Sequence, residues 1–80
     1  MVQQGIKRVN VKKIREIRLS RGITQAFIAR KMGYRYTSGY SNIEKGVVRL
    51  SYRNALILSE ILMCDLEDFC DETSYIQGRN

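Results

Sequence analysis

Eighty residues suffice for one small domain, and 44% hydrophobic residues fill one modest core, so no second domain is expected. No stretch approaches the roughly 18 apolar residues of a membrane span, and Met1 to Asn10 lacks the apolar run of a secretory signal, so the expected location is cytoplasmic. There is no histidine, and Cys64 and Cys70 stand alone; Cys/His metal sites and histidine-based catalysis are excluded, and no cofactor is implied. In a reducing compartment both thiols read as small core hydrophobes and not as a disulfide.

The net charge of +6 is unevenly distributed. Residues 1–53 carry thirteen Lys and Arg against Glu16 and Glu44, whereas residues 54–80 carry Arg79 against Glu60, Asp65, Glu67, Asp68, Asp71 and Glu72. A basic front and an acidic rear suit a polyanion on one side only.

Residues 1–9 lack apolar periodicity and read as a flexible arm ahead of a folded domain over 10–72. Asn10 is a good N-cap, and Val11, Ile14 and Ile17 follow at helical spacing until Gly22, which predicts a first helix over about 11–21. Thr24 caps a short second helix carrying Ile28, Ala29 and Met32 on one stripe and closing at Gly33. After a polar and aromatic stretch a third segment carries Tyr40 and Ile43 inward and stops at Gly46. Val47 to Leu50 has β propensity but no partner strand, and reads as a loop. Ser51 caps a fourth helix with Leu56, Ile57, Ile61 and Leu62 on its buried side, and Asp65 caps a fifth with Leu66, Phe69 and Cys70. Residues 73–80 read as a second flexible tail. The fold class is all-α, five short helices.

Two short helices joined by a turn at Gly33 permit one to brace on a nucleic-acid backbone while the next enters the major groove, although many small helical bundles share that periodicity. The residues are more telling. Ile23-Thr24-Gln25 opening the second helix, Ala29 four residues before Gly33, Ser41-Asn42-Ile43-Glu44-Lys45-Gly46 closing the third and Leu66-Glu67-Asp68-Phe69 in the last stand in order. Together they closely resemble the phage-repressor-like, Cro/XRE helix-turn-helix family, from about Val11 to Phe69.

That resemblance implies a lambda-repressor-like domain with its helix-turn-helix at helices 2 and 3, bacterial or phage-encoded, associated with the nucleoid and without enzymatic activity. It implies base reading by Thr37, Ser38 and Asn42. Asparagine can pair with adenine N6 and N7, whereas the hydroxyls accept either sense. Thr37 has a second reading as the N-cap of the third helix. Phosphate contacts fall to Gln25, Arg35, Lys45 and Arg49. Arg18 is implied to bridge to Glu44, since an inward carboxylate needs a partner.

Four features stand out. Gly33 to Gly46 is 13 positions, one more than is usual in the family, which puts an extra residue within Tyr34-Arg35-Tyr36. Gly39 sits inside a helix, where it permits a close approach or marks an irregular turn. Met63 stands where a helix-ending glycine is common, and Phe27 where a polar residue is usual.

The resulting expectation is a small stand-alone repressor binding a double-stranded DNA operator, with no small-molecule effector implied. A single module covers few base pairs, so a homodimer is expected, with its contact at Leu66 and Phe69. Two alternatives stand beside it. One is an antitoxin-type protein with a protein partner, although Thr73 to Asn80 offers only Tyr75 and Ile76. The other is RNA binding, through Tyr34, Arg35, Tyr36 and Tyr40.

Overall fold

The computed structural model describes residues 8–71. In chain order they form β1 (Arg8–Val9), α1 (Val11–Ser20), α2 (Gln25–Lys31), α3 (Ser38–Glu44), α4 (Tyr52–Leu62), a single 3-10 turn (Leu66–Asp68) and β2 (Cys70–Asp71). β1 and β2 are two residues each and pair antiparallel, Arg8 opposite Asp71 and Val9 opposite Cys70.

The helix starts follow from local chemistry. Asn10, Thr24 and Ser51 each hold an extended backbone, and their side chains accept from the amides of Lys13, Phe27 and Asn54. Each thereby satisfies one of the amides that a helix leaves unpaired at its first turn. Gly33, at φ 91°, turns the chain out of α2 in a conformation that a side chain would oppose. Met63 closes α4 in the same left-handed region, at φ 59° and ψ 50°, at a cost on the order of 1 kcal/mol. Its exposed side chain offers no compensating burial.

Packing draws one apolar group from every helix. Ile14 of α1, Ile28 and Ala29 of α2, Tyr40 and Ile43 of α3, and Ala55, Leu58 and Leu62 of α4 form one core with Leu50 and Phe69. Cys64 and Cys70 are half-buried and packed against this core.

Four expectations are corrected. The fifth helix is a 3-10 turn, because the Phe69 carbonyl accepts the Asn10 amide at 2.8 Å and Cys70 leaves in extended geometry to pair with Val9. By the same pairing residues 8 and 9 are structured, while the rest of the proposed arm and the tail at 73–80 lie outside the described residues. Phe69 is fully buried within the single chain, so it offers no surface for a dimer contact, and Leu66 is half-buried against the core. In α4 the buried side is Ala55, Leu58, Ser59 and Leu62, whereas Leu56 is exposed and Ile57 and Ile61 are half-buried. Apolar residues stand on both the inner and the outer side of the helix, so periodicity alone does not select the inward face.

Candidate nucleic-acid interface

α2 packs against α3, and Tyr34 sits in the turn between them with its amide donating to the Ala29 carbonyl at 2.9 Å. The lack of a side chain at Gly39 lets this turn take its extra residue. A Cβ there would stand 2.5 Å from Cγ and Cδ1 of Tyr34 and 2.8 Å from its Cβ, so only glycine admits the ring. The close approach expected at Gly39 is thus to an aromatic side chain. Tyr34 packs on the core, and the chain then bulges through Arg35 and Tyr36 before α3 begins.

At the other end of α3, Glu44 gathers four donors. Arg18 donates from Nε at 2.5 Å and from Nη2 at 3.2 Å, the Gln25 amide from Nε2 at 2.8 Å and the Tyr40 hydroxyl at 2.6 Å. Arg18 also donates from Nη1 to the Ile23 carbonyl at 2.9 Å. The two charged side chains are only 10% and 4% exposed. Burial by itself would raise the Glu44 pKa, but the hydrogen bonds from Arg18, Tyr40 and Gln25 and the charge on Arg18 hold it below the ordinary carboxylate range. The bond to Glu44 raises Arg18, and burial first, then Glu44, pushes the Tyr40 hydroxyl far upward, so it remains a donor. This cluster ties α1, α2 and α3 into one frame.

The frame presents one face of α3 outward. Ser38, Ser41, Asn42 and Lys45 follow the spacing of one helical stripe, opposite Tyr40 and Ile43, which are buried. Ser38 is exposed in the first turn and Asn42 is half-buried; among the described residues neither side chain makes a hydrogen bond. Thr37 is exposed and occupies the N-cap position of α3, as in its second reading, but with an αR backbone and no side-chain capping bond. Lys45 is exposed, as are Arg35 before α3 and Arg49 after it, with the Arg35 guanidinium 6.0 Å from the centroid of the Tyr36 ring. On α2, Lys31 lies over the exposed Phe27 ring at 5.6 Å.

Gln25 differs from its expected use, since one amide hydrogen is committed to Glu44 and only the second remains for a phosphate. Ser41 was not singled out from sequence, although its spacing of three from Ser38 could have flagged it. The polar roles of Tyr40 and Gln25 were also missed, because buried spacing marks Tyr40 as packing and says nothing of where its hydroxyl ends.

A helix-turn-helix family model matches residues 14–69. The chain belongs to the Cro/XRE helix-turn-helix family. The match begins at Ile14 in α1 and ends at Phe69, covering most of α1, all of α2, α3 and α4, and the whole Glu44 cluster. No curated protein and no solved structure matches the chain. Members of this Cro/XRE family are DNA-binding domains and not enzymes, and a DNA-binding regulator is what the match supports. Among the described residues no helix is long and apolar enough to cross a membrane, and no group of His, Cys, Asp and Glu could hold a metal ion.

Proposed function

We propose that the chain is a sequence-specific transcriptional repressor that binds a double-stranded operator as a homodimer, each copy laying α3 in the major groove. The observation that carries this reading is the outward stripe Ser38, Ser41, Asn42 and Lys45, made of short polar side chains and one cation on a helix braced from behind. Short hydroxyl and amide groups reach base edges, and the amide of Asn42 suits adenine. Arg35, Lys45 and Arg49 at the margins suit phosphates, which set register without choosing sequence. The acidic residues Glu60, Asp65, Glu67 and Asp68 come after this segment in the chain, so the basic front carries the affinity.

The test is selection of bound sites from a random duplex library, followed by titration of Asn42→Ala on the recovered site and on scrambled DNA. The variant should lose roughly 1 to 3 kcal/mol on the recovered site and much less on the scrambled one. Equal loss on both would move Asn42 to the backbone contacts. Preference for single-stranded RNA over every duplex would replace the reading by one in which Tyr36 stacks on unpaired bases.

A further inference from the structure

α4 has two apolar sides. Ala55, Leu58 and Leu62 face the core, while Tyr52 and Leu56, one turn apart, are 49% and 40% exposed. Ile57 is half-buried and is not among the side chains packed against the core. Apolar side chains are normally covered, and within one chain Tyr52 and Leu56 on the outer side of α4 are left open. Arg53 and Glu60, both exposed, lie on the same outer face, one turn to either side of Leu56. The face is therefore an apolar centre flanked by a cation at its N-terminal end and an anion at its C-terminal end.

We infer that this face receives the same face of a second copy, the two α4 helices packing antiparallel about a two-fold axis near Leu56. The inference rests on the homodimer reading and says where the second copy sits. Antiparallel packing brings Arg53 of each copy to Glu60 of the other, twice over, and opposes the two helix dipoles. Parallel packing would set Arg53 against Arg53 and Glu60 against Glu60. The charges thus select the second copy and its direction together. The exposed Val47 and Val48, 70% and 44% accessible, stand in the loop that joins this helix to α3. A contact through α4 consequently fixes the distance between two reading helices through a short connection, which is what a pair of half-sites requires.

The experiment is sedimentation equilibrium of the full chain at micromolar concentration, with the stoichiometry counted on a duplex selected by the wild-type chain. Wild type should run as a dimer and Leu56→Glu as a monomer with wild-type helix content. Arg53→Glu and Glu60→Arg should each weaken the dimer, and the double exchange should restore it, since it recreates the same two pairs in reverse. If Leu56→Glu loses helix content, the exchange of the two exposed charges decides. A dimer that survives Leu56→Glu and ignores the charge exchange would overturn the α4 contact and leave the homodimer reading in place. A wild-type chain that is monomeric both free and on the selected duplex would overturn both.

Discussion

The two ends of α3 are held by opposite kinds of force. At its C-terminal end Glu44 accepts from Arg18, Gln25 and Tyr40, so the helix is fixed by direction and charge. At its N-terminal end no side-chain cap exists, and the helix is fixed by the fit of the Tyr34 ring against Gly39. A polar anchor fails when one partner is removed and leaves a buried charge behind. A steric anchor fails when volume is added. The outward polar stripe of α3 lies between them, so Asn42, close to Glu44, and Ser38, next to Gly39, depend on different physics for their placement.

The largest effect is expected from breaking the polar end. Arg18→Met leaves the Glu44 carboxylate, 4% exposed, with only the Gln25 amide and the Tyr40 hydroxyl, and also leaves the Ile23 carbonyl without its donor. Stranding a buried charge costs about 3 to 5 kcal/mol, a large share of the stability of a domain this small. Urea denaturation should show that loss, and Glu44→Gln placed on top of Arg18→Met should recover part of it by removing the orphaned charge. A variant as stable as wild type would mean that the cluster is held by packing and that the two ends of α3 do not differ in kind.

A smaller loss is expected at the steric end. Gly39→Ala would gain about 1 kcal/mol from helix propensity in open surroundings. Here the added Cβ meets Cβ, Cγ and Cδ1 of Tyr34, atoms near the root of the side chain that cannot swing aside without moving the turn. Overpacking of this kind costs typically about 1 to 3 kcal/mol, so the net change should be destabilising. Tyr34→Ala combined with Gly39→Ala should relieve the clash, and a double variant no better than Gly39→Ala alone would refute the fit. DNA binding should weaken in Gly39→Ala more than stability does, because the first turn of α3 carries Ser38.

This contrast also accounts for what could be read from the sequence. The caps at Asn10, Thr24 and Ser51 and the inward Ile14, Ile28 and Ile43 were legible because each depends on residue type and spacing within a few positions. The Arg18–Glu44 bridge, 26 residues apart, came from family resemblance, as no local rule links the two. The extra residue in the turn was countable, but its accommodation by Tyr34 on Gly39 depends on a contact that spacing does not report. The end of the chain was misread for a related reason. Leu66, Phe69 and Cys70 suggested a helix with apolar residues to spare, yet Phe69 completes the core and Cys70 pairs with Val9, far away in sequence. In α4 two apolar sides look alike in a sequence, and only the position of α1 to α3 distinguishes them.

The smallest effect is expected from acid, and it separates the two ends without a mutation on the outward face of α3. Burial alone would raise the Glu44 pKa, whereas the bonds from Arg18, Tyr40 and Gln25 and the charge of Arg18 lower it; only the difference between these opposed influences survives, as a downward shift from 4.5. A carboxyl whose folded pKa lies below its unfolded one contributes stability that is fully present above the unfolded value and disappears as pH falls through the folded value. Wild type should therefore lose stability as pH drops from the ordinary carboxylate range to below it. Glu44→Gln, less stable at neutral pH, should show a flatter acid limb over the same interval. Gly39→Ala, whose defect involves no titrating group, should keep the wild-type slope at a lower overall stability. Urea midpoints across this pH range for the three proteins would check the prediction, and parallel curves for wild type and Glu44→Gln would show that Glu44 has no net preference for its charged form in the fold.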